Sequence, residues 1–325
     1  MQAMDRTTRK LLLPLTLACA LLLTSCGKNK WYSDFDEAKD FARRKDKDIF
    51  LLFSSDGCEQ FKQDVLSSEQ FEKRFLRLFV FADVDFSTKQ DTPESDEAAQ
   101  EQAILERQAS LKEKNERLLR YYDVQCFPCA FVLSSEGYVL AIVDSDKASE
   151  ADVENYCAKV DEAKQRAAKL KVPLEKVRNY DGVEKAQAID ELFNATEGKY
   201  AYLLKELVWE VPQLDGKNET GLLGEYELQG AYFRSLDAFE AGEDPAAPFV
   251  DASKKSTLSR AQKQEALYMA AFALVNLADV DYERVLELLS RAYEMDSKGE
   301  FSESIFEAFQ SMQNFAYKKR QQEAN

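Results

Sequence analysis

Six cysteines and no histidine set the chemistry open to this 325-residue chain. Without imidazole there is no Ser-His or Cys-His couple and no histidine metal ligand. Thiol, lysine, tyrosine and carboxylate chemistry remain. Cys58 stands out by its surroundings. Ile49–Phe53 is five apolar residues in a row, Ser54–Gly57 is turn chemistry, and Phe61 and Val65 follow four apart. That order reads as buried strand, turn and helix, with Cys58 at the helix start. A cysteine there meets free backbone N–H groups, and such a position favours a thiolate. A thiolate that opens a disulfide needs a second thiol to complete the exchange. Cys126 and Cys129 form a Cys-x-x-Cys, Cys126-Phe127-Pro128-Cys129. They do not read as a self-contained dithiol, because such a motif should open a helix and Ala130–Leu133 continues as a strand. Two other readings stay open for these thiols: small inert core side chains, or a cysteine-only metal site. Cys157 lies between Val153 and Val160 on a helical pattern and reads as core.

The elements that must position these thiols follow from periodicity. Trp31–Lys47 is helical, with Phe35, Ala38, Phe41 and Ala42 at helix spacing. Ser67-Ser68-Glu69-Gln70 resembles a capping box before Phe71 and Phe75. Leu78–Val84 is a second buried strand. Ser87–Ala99 is a polar, acidic loop, and Gln100–Tyr122 a charged helix with Ile104, Leu105, Leu111, Leu118 and Leu119 as its apolar stripe. Val124–Leu133, the turn Ser134–Gly137 and Tyr138–Val143 make a hairpin. Ser149–Lys171 is the next helix.

This α-β-α-β-α-β-β-α order resembles thioredoxin-fold proteins over residues 31–171. Trp31, Ala38, Ala42 and Lys47 match the opening of one bacterial group. The strand–turn–Cys58 unit and Val124-Gln125-Cys126-Phe127-Pro128 carry the rest of the likeness. The resemblance implies a mixed central sheet flanked by helices. It implies a cis bond before Pro128 beside the active cysteine, and a backbone at Phe127 that pairs with extended substrate. It also shows three departures. The family's second cysteine falls at Phe61, and its buried acid, six residues before the first cysteine, falls at Leu52; Gly57 stands where tryptophan commonly precedes the cysteine. The first two losses touch the half-reaction of the resolving thiol. The resemblance therefore implies an atypical thiol–disulfide exchange or redox-related role, with Cys58 as nucleophile and Cys126 or Cys129 as resolver. The alternative is a non-catalytic binding or scaffold protein that keeps the Phe127–Pro128 edge. No cofactor is implied.

The first residues resemble a processed leader. Arg6, Arg9 and Lys10 precede the apolar Leu11–Leu23, which is too short for a membrane span and holds Pro14. Leu23-Thr24-Ser25-Cys26 is similar to the lipobox of bacterial lipoproteins. That likeness implies a signal peptide over 1–25, lipidation of Cys26, a tether over 26–30 and a membrane-anchored protein of the cell envelope. Cys19 would leave with the leader. Expected partners are envelope proteins or thiol substrates. Nucleic acid is not expected, because the formal charge is −16 and no basic patch offsets it.

From residue 172 no strand pattern recurs, and an all-α domain is expected over 172–325. Val183–Phe193, Lys199–Val211, Gly221–Phe239, Leu258–Leu277, Tyr282–Met295 and Phe301–Arg320 read as helices. Leu214–Thr220 and Ala241–Lys255 read as loops. Ala270–Asp296 resembles, weakly, a tetratricopeptide-type helix pair, with Ala271, Leu274, Leu286, Leu289 and Ala292 at packing positions. The acidic runs Asp91–Glu101 and Glu240–Asp244 read as solvated loops. Tyr226, Tyr232 and Phe233 read as helical core.

Overall fold

The strand predicted at Ile49–Phe53 is the centre of the molecule. In the computed structural model, which describes residues 31–87, 98–147 and 149–323, β1 spans Asp48–Ser54, and Ile49–Phe53 are all fully buried. It is flanked by β2 (Phe79–Asp85), parallel, and by β3 (Cys129–Leu133), antiparallel. β4 (Val139–Val143) pairs antiparallel with β3, which gives the sheet order β2-β1-β3-β4. A strand with neighbours on both edges and helices on both faces has no polar side, so an unbroken apolar run is what it needs. Tyr32 also bonds to the outer edge of β2, with Tyr32 N donating to Phe81 O and Asp83 N donating to Tyr32 O, both at 2.9 Å.

Alternation along each strand divides the core in two. Phe50, Leu52, Phe79, Phe81, Ala130 and Val132 face one way. Ile49, Leu51, Phe53, Val80, Ala82, Phe131 and Leu133 face the other. The second face is covered by α1 (Phe35–Lys45) and by the end of α4 (Ala98–Tyr121). α1 begins at Asp34, whose Oδ1 accepts from Asp36 N at 2.8 Å, and buries Phe35, Ala38 and Ala42. The first face is covered by α2 (Glu59–Phe61), which runs on as a π-helical turn over Lys62–Leu66, by α3 (Glu69–Phe75) and by α5 (Val153–Asn179). At the start of α3, Ser68 Oγ accepts from Phe71 N at 3.2 Å; with Phe rather than Glu or Gln three residues on, this is an N-cap and not the expected capping box.

α5 does not stop at Lys171. It continues through Pro173 to Asn179, so position 171/172 falls inside one helix. Proline removes one hydrogen-bond donor from a helix interior. Here Pro173, Leu174 and Val177 are buried, and the last two join the first-face core, which offsets that loss. The same core runs on into α6 (Gly182–Ala195), α7 (Lys205–Leu214) and α8 (Leu223–Glu240) through Ile189, Val208, Tyr226 and Phe233. Tyr232 differs from its two aromatic neighbours and is 40% exposed.

Two sequence expectations are corrected in the helical region. Lys199–Val211 is not one helix: Gly198–Leu204 is a 3-10 segment that turns Tyr200 onto the second face of the sheet before α7 begins. Ala241–Lys255 is not all loop, because α9 (Ala247–Ser253) lies within it. Its proline sits in the first turn, where no donor is needed, and Phe249 and Ala252 bury into the C-terminal core. That core also takes α10 (Arg260–Val275), α11 (Tyr282–Met295) and α12 (Ser302–Glu323). α10 starts with a capping box between Ser259 and Gln262. α10 and α11 pack on each other with Ala271, Leu274, Leu289 and Ala292 buried, while Leu286 is half-buried.

Candidate functional site

Cys58 is placed by the C-terminal end of β1. The chain leaves Ser54, turns through Gly57 at φ +94°, and reaches Cys58 as the residue that opens α2. A positive φ of that size suits glycine. Gly57 N donates to Glu59 Oε2 at 2.9 Å, and Cys58 N to Ser55 O at 3.1 Å. Cys58 is 4% exposed. α2 has three residues before the π turn, so only a short stack of peptide dipoles lies behind the thiol.

The positions that depart from the resemblance are filled by core. Leu52 is fully buried on the first face, and Phe61 packs its ring edge-on against Tyr156 with centroids 5.0 Å apart. An acid is nonetheless present one strand away. Asp83 stands opposite Leu52 in the β1–β2 register. Its Oδ1 accepts from Ser54 Oγ at 2.7 Å, and its Oδ2 lies 2.7 Å from Lys62 Nζ. Lys62 also reaches Asp85 Oδ2 at 2.8 Å, and its backbone N–H donates to Cys58 O at 2.9 Å. One turn beyond Cys58, a lysine thus bridges two carboxylates.

The charge states follow from burial set against contact. Burial raises the Asp83 carboxyl above its ordinary range, and the Lys62 and Ser54 hydrogen bonds only partly oppose this. Burial works against the Lys62 charge too, but the two carboxylates outweigh it and lift the ammonium above its ordinary range. For the more open Asp85, burial is overcome by Lys62 and by Ser87, and the carboxyl is lowered. Lys62 is therefore held as a cation, and Asp83 is the group that bears the cost of burial. Sequence reasoning missed Lys62, Ser54, Asp83 and Asp85. The available signal was a lysine four residues after Cys58 and an Asp-x-Asp closing a buried strand.

The Phe127–Pro128 peptide is cis, as the resemblance implied. The loop it belongs to meets the same end of β1, because Cys129 pairs with Phe53 in the antiparallel register. Its two cysteines differ in setting. Cys126 is exposed. Cys129 is half-buried and packs on the second face with Phe53, opposite the face that carries α2. Burial, and a smaller effect of Cys126, push the Cys129 thiol up to about 12. Phe127 is 38% exposed, and its ring lies against Phe86 at 5.5 Å. Cys157 is buried in the first-face core, and burial raises its thiol. Cys58, Cys126, Cys129 and Cys157 are all free thiols. Cys19, Cys26, the leader and tether of residues 1–30 and the acidic run at 91–97 lie outside the described residues, as do the side chains of Ile104 and Leu105. In the second acidic run, Glu240 accepts from Tyr121 Oη and Asp244 pairs with Arg284.

Residues 30–132 match the thioredoxin-like family, and residues 222–318 match a family described as an uncharacterised protein C-terminal domain. The chain thus carries a thioredoxin-like domain followed by a helix-rich C-terminal region. An uncharacterized protein of Treponema pallidum (strain Nichols) is 26% identical over 186 residues, 56% of this chain. The match spans 60% of that relative's length. Among solved structures, DsbH oxidoreductase aligns with 25% identity over 42% of this chain and 85% of its own, with a TM-score of 0.32.

Proposed function

We propose that this protein is a lipid-anchored, thioredoxin-like protein of the bacterial cell envelope that exchanges thiols and disulfides through Cys58 and Cys126. The observation that carries this reading is that the Cys58 turn leaves, and the cis-proline loop bearing Cys126 joins, the same end of the sheet at Phe53–Ser54. The two thiols differ in access, and access orders their roles. Attack on a partner disulfide needs an exposed thiolate. Cys126 is exposed and Cys58 is 4% exposed. In this scheme Cys126 attacks one sulfur of the partner disulfide, and a partner thiolate leaves and takes up a proton. Cys58 then attacks Cys126, which forms the Cys58–Cys126 bond and frees the second partner thiol. Two electrons pass to the partner, and the reverse sequence oxidises it. Cys58 is then the resolver, the reverse of the order that its helix-start position suggests. Cys129 packs with Phe53 on the other face of the sheet, which favours Cys126 over it in this pair.

Glutathione disulfide tests the scheme. Cys58→Ser should hold glutathione on Cys126, with an adduct lifetime about 100-fold longer than in the unaltered protein, because the intramolecular step is lost. Intact-mass and peptide mapping would read it. A Cys58→Ser variant that takes up no glutathione at Cys126 over the same period contradicts the scheme. That outcome supports a second reading, a thioredoxin-fold binding protein without turnover. The burial of Cys58 and the apolar filling at Leu52 and Phe61 favour it. Phe127 and Pro128 would then present the binding edge.

The anchor has its own test. Among the described residues no helix is long and apolar enough to cross a membrane. Trp31 is already part of the fold, with its ring 5.0 Å from that of Phe81. Four residues lie between it and Cys26, five backbone steps with a reach of at most about 18 Å. Lipid on Cys26 would therefore hold the domain at a bilayer surface. Cys26→Ser is expected to move the protein from the membrane fraction to the soluble fraction on ultracentrifugation. An unchanged membrane fraction would exclude anchoring at that residue.

A further inference from the structure

The place where the chain enters the fold decides which end of the domain a lipid on Cys26 would face. Tyr32 pairs with Ala82 in the parallel sense on the outer edge of β2. Trp31, one residue earlier, stacks its ring 5.0 Å from that of Phe81. The chain therefore comes to Trp31 from the Phe79 end of the sheet, about 7 Å away along the edge. The five backbone steps back to Cys26 span at most about 18 Å, enough to pass that end.

This end gathers cations from separate segments. β1 and β2 start together, with Asp48 opposite Phe79. Lys47 precedes one strand, Arg77 and Leu78 precede the other, and α1 closes with Arg43, Arg44 and Lys45. Some of the charge is matched. Arg43 meets Asp40 at 3.1 Å, Asp48 meets Lys171 at 2.5 Å, and Asp46 lies 4.0 Å from Arg178. Arg44, Lys45, Lys47 and Arg77 form no ion pair among the described residues. Arg44 and Lys45 each lie 5.9 Å from the centre of the Phe41 ring, a contact that leaves their charge uncompensated. The dipole of α1 favours a basic last turn, but it does not account for Arg77 on the turn before β2. Leu78, next to Arg77, is 43% exposed.

We infer that this corner, made by the last turn of α1, Lys47 and the Arg77–Leu78 turn, lies against the anionic head groups of the bilayer that holds the lipid. The inference rests on the Cys26 anchor proposed above. The formal charge of −16 does not forbid the contact. At physiological salt a surface feels charges within about 8 Å, so the acidic parts elsewhere in the chain are screened from it. Each cation near an anionic surface raises its occupancy there about fivefold. Leu78 adds apolar contact with the interface. The contact also sets direction. The Cys58 turn and the cis-proline loop leave the opposite end of β1, about 20 Å along the strand. The thiols then face away from the membrane, toward partners in solution.

Lysine footprinting of the lipidated protein on vesicles tests this. Brief acetylation by an N-hydroxysuccinimide ester is read residue by residue by peptide mass spectrometry. Two vesicle types are compared, phosphatidylcholine alone and an equal mixture with phosphatidylglycerol. On the mixed vesicles, Lys45 and Lys47 should react about fivefold more slowly or less, the scale of one cation's attraction. Lys199, which lies 3.9 Å from Asp123 ahead of the cis-proline loop, should react equally on both. Salt near 1 M should remove the difference. Arg44→Gln combined with Arg77→Gln keeps both lysine reporters and should reduce the slowing. Equal rates at Lys45 and Lys47 on the two vesicles would overturn the inference while leaving the anchor in place. So would slowing at Lys199 instead, or slowing that survives high salt and both substitutions. Protein that floats with neither vesicle would overturn the anchor and this surface together.

Discussion

Phe50→Ala is expected to cost about 3–5 kcal/mol of unfolding free energy. Phe50 is fully buried at the centre of β1. Its ring lies within 5.5–6.2 Å of those of Trp31, Phe71, Phe79 and Phe81, at interplanar angles from 45° to 89°. Truncation removes the transfer free energy of the ring and leaves a cavity among four aromatic neighbours that are held by strands and helices. Those neighbours come from the segment before α1, from α3 and from β2, so little of the void can close. Urea denaturation followed by circular dichroism would read the loss. Tyr317→Ala, at a side chain 63% exposed, is the control and should change stability by no more than about 0.5 kcal/mol. A Phe50→Ala loss below about 1 kcal/mol would contradict this packing.

Lys62→Met is expected to destabilise the protein by about 2 kcal/mol at pH 8, and by less at pH 5. Removing one partner of a buried ion pair costs about 3–5 kcal/mol when the other charge stays buried. The figure is reduced because the side chains of Lys62 and Asp83 retain 26% and 18% exposure. The pH trend follows from Asp83. Its carboxyl already sits above its ordinary range because of burial, and Lys62 holds it back. Without the lysine the folded-state value rises further above the unfolded one. A carboxyl raised in the folded state contributes most below its unfolded pKa, and its contribution fades as pH climbs through the folded value. The deficit of the variant therefore grows from pH 5 to pH 8. Unfolding curves at the two pH values would check it. A deficit that is constant, or larger at pH 5, would show that Asp83 does not carry the cost.

The parts of the fold legible in the sequence were those that rest on local pattern. Ile49–Phe53 declared itself because a strand buried on both faces needs an unbroken apolar run. The turn into Cys58 and the proline loop were legible through a resemblance to a fold that places them together. Pro173 misled, because a local helix breaker was outweighed by Leu174 and Val177 packing into a core assembled from distant segments. Ala247–Ser253 was hidden for a related reason: proline in the first turn reads as a breaker until Phe249 and Ala252 are seen to be buried. The Lys62–Asp83–Asp85 cluster could not be read at all without strand register. It depends on Leu52 facing Asp83 across β1 and β2, which no single segment encodes. The access of the thiols was equally hidden. Sequence position favours Cys58, whereas the fold buries it and leaves Cys126 exposed.

The pairing of Cys58 with Cys126 is the central claim, and one measurement addresses it directly. The protein is oxidised, its remaining thiols are alkylated, and it is digested without reductant for mass spectrometry. A disulfide needs Cα atoms within about 7 Å and facing side chains, which the end of β1 and the proline loop would have to supply in the oxidised state. Pairing of the two thiols would yield a peptide that joins Cys58 to Cys126, lost on reduction and absent from Cys126→Ser. A digest in which Cys58 is recovered only as the alkylated thiol would contradict it.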